Sequence, residues 1–273
     1  MYKDILVPVV LGDIHEPAIC AACSIAARFD ARLVALAGVS IIAPSLETWK
    51  YYPASVYPTM HQSAEATTQA LAEAVARRLA KEPVVTEVRK SELFWLTPAE
   101  LSALHARYAD LVVLGVDRKM ADADARLLGG LLAGGGRPVL LVPPQTPEVA
   151  AYERIVIAWK STPEASRAVH DALPLLQAAR SVDLLTVGHG AAPLDHLEVN
   201  IAPHLQRHGV QVNLVRRSGT GPAAQEILGH AGESRADLIV AGGYSHSRAL
   251  EQVIGGVTRG LLQRSPIPVL FSH

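Results

Sequence analysis

The sequence has little of several features that would settle its class at once. Only two cysteines, Cys20 and Cys23, occur in 273 residues, which excludes a disulfide framework and favours a reducing compartment. The formal net charge is -1, so there is no electrostatic case for nucleic acid or an anionic membrane surface as a partner. No apolar run approaches the roughly 18 residues of a membrane span, and the amino terminus enters a strand pattern directly, without signal-peptide architecture. We therefore expect a cytoplasmic globular protein.

Signatures of catalysis are also missing. The sequence contains no G-x-x-x-x-G-K-[ST] motif, no nucleophile elbow and no paired-carboxylate pattern, so we expect a protein that is not an enzyme. Slow hydrolysis of a bound nucleotide stays open. Cys20 and Cys23 have C-x-x-C spacing, which offers a thiol redox protein as a less favoured alternative. Because Pro17 indicates that a helix has already begun before Cys20, we interpret both thiols as small packed side chains.

One pair of histidines has metal-ligand spacing. His204 and His208 lie four residues apart, which places both on one face of a helix. No adjacent glutamate and no third ligand are evident, and His208 precedes Gly209, a pattern typical of a helix carboxyl end. We therefore predict no metal site.

What the chain does have is an internal repeat. Three short Val/Ile/Leu-rich runs, of the kind that forms strands buried on both faces, recur in the same order with helical patterns between them. Each half reads βαβαβαβαβ, which predicts an α/β fold of two tandem doubly wound parallel sheets. The predicted domains are 1–144 and 152–273, joined by the proline-rich linker 143–153. The matching runs are 2–10 with 152–160, 109–118 with 236–245, and 137–143 with 267–273.

The two halves differ in ways that bear on function. The first half carries an insertion at about 41–65 in which Trp49, Tyr51, Tyr52 and Tyr57 cluster between prolines. Such a segment can cover a site, contact a partner or fold onto its own domain. The last helix of the first half is predicted to be short, since Gly129 precedes Pro138 by only nine residues. The second half is rich in hydroxyls at 241–260 and is the better candidate for binding a ligand.

The carboxyl-terminal pattern GGYSHSR, then GGVTRGLL, then PIPVLFSH resembles the universal stress protein family, and the whole chain resembles its tandem form. The resemblance implies five-stranded sheets of order 3-2-1-4-5 and a stress-response regulatory role. It also implies that the last strands of the two halves pair antiparallel within the chain, as an intramolecular pseudo-dimer, and that two chains associate further as a homodimer. Many members of the family bind ATP through G-x2-G-x9-G-[ST] after the fourth strand and an Asp at the end of the first.

The ATP pattern is eroded here. Gly242 and Gly255 match the first and last glycines, whereas Ser245 and Gly256 replace the second glycine and the final hydroxyl. Thr258, two positions on, offers a replacement hydroxyl. Lys160 replaces the first-strand Asp in the second half, and Val10 replaces it in the first. In the first half Gly115 matches, but Arg118 stands in place of the second glycine and the spacing to Gly129 is one residue too long.

The eroded pattern still predicts a binding site in the second half. Ligands of open α/β sheets bind beyond the carboxyl ends of the strands where the strand order reverses, and here the Lys160 turn and the glycine-flanked segment meet there. Ser161 or Thr162 is expected to cap the following helix. The site would hold ATP, another adenine nucleotide or a simpler anion, with Mg²⁺ only alongside a nucleotide. Its predicted residues are Lys160, Ser161, Gly242, Gly243, Ser245, Arg248, Gly255, Gly256, Val257 and Thr258.

A different class of function fits the same residues. Glycine pairs and a hydroxyl cap also serve tight turns between strands and helices. The alternative is therefore an interaction protein that binds no nucleotide, with both pockets decayed and an unidentified protein as its partner.

Overall fold

The computed structural model describes residues 1–12, 14–40, 56–93, 96–117, 121–188, 200–219, 221–243 and 255–273. Within these ranges lie ten strands: β1 (Asp4–Val9), β2 (Arg32–Ser40), β3 (Thr86–Leu93), β4 (Leu111–Gly115), β5 (Val139–Val142), β6 (Arg154–Trp159), β7 (Ser181–Val187), β8 (Asn213–Arg217), β9 (Leu238–Gly242) and β10 (Val269–Ser272). The helices within the described ranges are α1 (Glu16–Phe29), α2 (Val56–Leu79), α3 (Pro98–Ala106), α4 (Ala121–Gly135), α5 (Pro163–Ala178), α6 (Ile201–Arg207), α7 (Ala223–Glu233) and α8 (Gly256–Arg264).

All ten strands form one sheet, in the order β3-β2-β1-β4-β5-β10-β9-β6-β7-β8. Each half contributes five strands in the order 3-2-1-4-5, and neighbouring strands within a half run parallel. The predicted fold class is confirmed.

The two halves join through their last strands. β5 and β10 pair antiparallel, with Leu140 opposite Leu270 and Val139 opposite Phe271. All four side chains are fully buried. Each strand covers the edge that the other half would otherwise expose, so neither of these two edges is open to pairing with another chain.

The core has two layers, one on each face of the sheet. Adjacent strand residues alternate between them, so that Ile5 belongs to one layer and Leu6 to the other. Helices α1, α2, α5 and α6 cover the first face, and helices α3, α4, α7 and α8 cover the second. Each layer includes residues of both halves, so the junction is part of a continuous core.

The internal repeat extends to hydrogen bonds at the strand entrances. Asp110 accepts hydrogen bonds from the amides of Lys3 and Asp4, which begin β1. Asp237 accepts from the amides of Glu153 and Arg154, which begin β6. The aspartate of each repeated ADL segment thus fixes the first strand of its half.

The prediction of a short last helix in the first half is wrong. Helix α4 has 15 residues and is longer than α8, which has 9. Gly129, from which the short helix was predicted, lies inside α4 and is followed by Gly130, where a Cβ would lie 2.5 Å from the Cβ of Ala99 on α3. The glycine permits close helix packing there.

The predicted insertion at 41–65 is only partly covered by the described residues. From Val56 onward it forms the first turns of α2. Trp49, Tyr51 and Tyr52 lie outside the described residues. Among the helices that the structure describes, none combines the length and the hydropathy needed to cross a membrane.

Candidate functional site

The candidate site lies at the carboxyl ends of β6 and β9. These strands are parallel neighbours, with Ala158 opposite Ala241. The chain leaves β6 toward β7 and leaves β9 toward β10, on opposite sides of the pair. The strand order therefore reverses between them, which is where open α/β sheets form a ligand-binding crevice. The two loops predicted to meet do start from adjacent strand ends.

Gly242 brings the end of β9 against the start of α5. A Cβ at this position would lie 2.6 Å from the amide nitrogen of Ala165 and 2.8 Å from the carbonyl carbon of Glu164. Both contacts are with backbone, which a side-chain rotation cannot relieve. Only glycine fits here, and its lack of a side chain lets the end of β9 lie against the first turn of α5.

The turn after β6 presents a polar surface at the amino end of α5. Thr162 is the N-cap, and its Oγ1 accepts a hydrogen bond from the amide of Ala165 at 3.3 Å. The sequence left Ser161 and Thr162 as alternatives, and the structure selects Thr162. Lys160 and Ser161 are both exposed. A lysine beside a helix amino terminus favours a negatively charged group.

Within the described residues, no side chain caps the amino terminus of helix α8. Its N-cap is Gly255, which makes no side-chain capping hydrogen bond. No described atom lies within 4 Å of a Cβ placed on Gly255 or Gly256. The first-turn amides of a helix lack partners within the helix, so this end is suited to an anion.

The remaining predicted residues have different surroundings. Gly243 is buried, and its amide donates to the Ser272 carbonyl at 2.8 Å. Val257 packs half-buried against the second core layer. Thr258 is only 3% exposed, so its hydroxyl reaches a ligand only inside a closed cleft. Ser245 and Arg248 lie outside the described residues.

The matching corner of the first half is filled by a side chain. A Cβ on Gly115 would overlap the ring of His15, which is the N-cap of α1. His15 Nδ1 accepts from the Ala18 amide at 3.2 Å, while Nε2 is buried without a well-formed hydrogen bond. Desolvation lowers the pKa of His15, although the nearby Val116 carbonyl opposes this shift. The imidazole therefore occupies this corner in neutral form.

A buried carboxyl lies in the first turns of α4, in the same half. Asp124 is 3% exposed, and burial raises its pKa to about 6, against a hydrogen bond from the Asp117 backbone. No sequence pattern indicates this buried carboxyl, because an acidic residue near the start of a helix is ordinarily solvated.

A wide depression of about 530 Å³ runs along the first turns of α5. It ends at the last residue of the chain, where His273 Nδ1 lies 3.1 Å from the Gly243 carbonyl oxygen. Sequence reasoning missed this surface, although residues 163, 166, 167 and 170 have helical spacing on one face. Its lining residues are Pro163, Glu164, Ser166, Arg167, His170 and His273.

The cysteine pair has surroundings that oppose redox chemistry. Cys20 and Cys23 are free thiols in the second and third turns of α1. Desolvation and Glu16 raise the pKa of Cys20, and desolvation and Glu82 raise that of Cys23 to about 12. The thiolate is the reactive form, so both groups favour the unreactive thiol at neutral pH.

Comparison with known proteins relates this architecture to one family. Residues 151–273 match the model of the universal stress protein family. No curated protein matches the chain significantly.

Three solved structures are similar to nearly the whole chain. A universal stress protein from Archaeoglobus fulgidus superposes with a TM-score of 0.73 at 16% identity, covering 99% of this chain and 96% of that one. A putative universal stress protein from Pseudomonas aeruginosa gives 0.59 at 16% identity, with 99% and 93% covered. A functionally unknown protein from the same species gives 0.59 at 17% identity, with 99% and 92% covered. At these identities the likeness establishes the fold alone.

Proposed function

Residues 151–273 belong to the universal stress protein family, whose model they match, and from this premise we propose that the chain is a cytoplasmic stress-response regulator that binds an adenine nucleotide in its second half. ATP is the first candidate ligand, and Mg²⁺ accompanies it only when the nucleotide is bound. The role is binding rather than turnover, so the protein is not an enzyme. Nucleotide occupancy would change a surface that a protein partner recognises.

One observation carries the proposal. The turn holding Lys160 and the end of β9 meet at the point where the strand order reverses, and α8, the helix that precedes β10, begins without a side-chain cap among the described residues. A phosphate group satisfies both features, because it accepts from free amides and neutralises a lysine. Gly256 leaves room for a phosphate to approach the backbone.

Thermal-shift titration of the full chain with ATP, ADP and AMP, with and without Mg²⁺, tests the proposal. We expect a ligand-dependent rise in Tm, as for any ligand that binds only the folded state. Lys160→Ala removes a charge-assisted contact worth about 1.5–3 kcal/mol, so it should weaken binding by roughly tenfold or more. Lys81→Ala, at an exposed lysine of the first half, is the matched control and should bind as the unmodified chain does.

Two results would remove the proposal. One is the lack of any stabilisation at millimolar nucleotide. The other is an affinity that Lys160→Ala leaves unchanged.

A second candidate function has its own support. His15 fills the first-half corner, so that half has lost the open space a nucleotide needs. Loss of the second pocket as well would leave an interaction protein that binds a protein partner or a second copy of itself. Mass spectrometry of gently purified protein separates the two candidates: a co-purifying adenine nucleotide supports binding, and its absence together with flat titrations supports the interaction protein.

A further inference from the structure

Three histidines from two helices lie together on the surface of the second half. His170 lies on α5, His204 lies on α6, and His208 is the C-cap of α6. The ring centroids of His170 and His204 are 5.1 Å apart, and those of His204 and His208 are 4.6 Å apart. The i,i+4 pair of the sequence thus gains a third imidazole from a residue 34 positions away.

The tautomer of His170 is fixed by its surroundings. Its Nδ1 lies 2.8 Å from the Ser166 carbonyl oxygen, which only accepts, so Nδ1 carries the proton. The lone pair is then on Nε2, which lies 3.2 Å from Nε2 of His204. Histidines that bind metals have this arrangement, with one ring nitrogen donating to a carbonyl and the other facing the ion.

The distance between the two Nε2 atoms matches a shared ion. Two nitrogens bound to one tetrahedral zinc at about 2.0–2.1 Å lie about 3.3 Å from each other. A hydrogen bond between two neutral imidazoles has a similar nitrogen separation, so the distance alone does not choose between them. The nearby ring of His208 favours the shared ion, because a hydrogen bond between His170 and His204 does not involve a third imidazole.

Two contacts hold the backbone of α6 in place next to His204 and His208. Leu205, between the two histidines, is fully buried, and Gln177 of α5 donates to the His208 carbonyl at 2.9 Å. The His208 ring is farther from His170, at 6.4 Å between centroids. Within the described residues no three ligand side chains already surround one cation position, so the exposed His208 ring has to turn to complete the set.

We propose that His170, His204 and His208 form a surface site for one divalent transition-metal ion of the zinc, copper or nickel class. Imidazole nitrogens suit these ions, and three of them leave a fourth position for water. The ion would clamp α6 onto α5, the helix that Thr162 caps.

Equilibrium dialysis of untagged, metal-stripped protein against micromolar Zn²⁺ tests the site, with Co²⁺ as a spectroscopic probe. We expect one ion per chain and the visible absorption of cobalt in a nitrogen-rich tetrahedral site. His204→Ala should abolish both signals, and His170→Gln should weaken zinc binding at least tenfold. His61→Ala, at a partly exposed histidine of α2, is the control and should retain both signals.

The variants remain interpretable because the altered rings lie on the surface, so Tm without metal should match that of the unmodified chain. The inference is overturned if the chain binds no zinc at micromolar concentration, or if His204→Ala binds it as the unmodified chain does.

Discussion

At the scale of single residues, glycine has two different tasks at the candidate site. Gly242 is enclosed by the backbone of α5, whereas no described atom lies within 4 Å of a Cβ placed on Gly256. From the sequence alone, both glycines are interpreted as positions where the backbone needs conformational freedom. Their surroundings differ because one ends a buried strand and the other begins a helix without a cap. One residue type thus supports the fold at the first position and leaves space for a ligand at the second.

This contrast predicts opposite effects of the same substitution. Gly242→Ala should lower the free energy of unfolding by about 1–3 kcal/mol, because the new methyl group has no room. Gly256→Ala should leave stability unchanged or raise it by up to about 1 kcal/mol, since alanine favours a helix. Urea denaturation measures both. Equal effects of the two substitutions would contradict the described contacts.

A buried carboxyl predicts a pH dependence in the first half. Because the folded-state pKa of Asp124 is raised to about 6, the folded state holds the proton more tightly than the unfolded chain does. Its contribution to stability is therefore present below about pH 4 and is lost as pH rises through about 6. Above that range the charged carboxylate of Asp124 lowers the free energy of unfolding by at most about 3 kcal/mol.

Asp124→Asn removes this cost and keeps an acceptor for the Asp117 backbone. The variant should be more stable than the unmodified chain at pH 7.5, and the difference should vanish below pH 4. Asp122→Asn, at an exposed carboxyl of the same helix, should show no such profile. Parallel profiles for Asp124→Asn and the unmodified chain across this range would refute the assignment.

At the scale of elements, the pairing of β5 with β10 is what makes the halves one unit. Phe271 on β10 is fully buried opposite Val139 on β5. It belongs to the core layer that also includes residues of α4 and α8. Damage at this position therefore affects both halves.

Phe271→Ala should lower the free energy of unfolding by about 3–5 kcal/mol and leave a single unfolding transition. Leu214→Ala, at a leucine that is 66% exposed, should change it by no more than about 0.5 kcal/mol. Calorimetry of both variants checks the expectation. Two separate transitions in Phe271→Ala would show that the halves unfold independently.

Elements also show where sequence reasoning succeeds and where it stops. Val/Ile/Leu runs predicted the strands, because a strand buried on both faces has few other compositions. The prediction of a short last helix in the first half, made from Gly129, was wrong because a glycine that begins a helix and one that lets two helices approach look alike in sequence. The meeting of His170 with His204 has no sequence signal, since it depends on how α5 packs against α6.

At the scale of the whole molecule, the two halves share one fold but differ at the candidate site. Both halves have the same strand order and the same aspartate at the strand entrance. In one, His15 occupies the corner where the strand order reverses; in the other, Lys160 and Ser161 leave it polar and exposed. The chain as a whole should therefore bind one nucleotide, in the second half.

Amide NMR of the full chain during titration with ATP tests this claim most directly. We expect saturable changes in the amide chemical shifts of Lys160, Ser161, Gly242 and Gly256 with a stoichiometry of one nucleotide per chain, and no change in the chemical shift of the Gly115 amide. Shifts at the first-half corner, or none at the second with millimolar ATP, would contradict it.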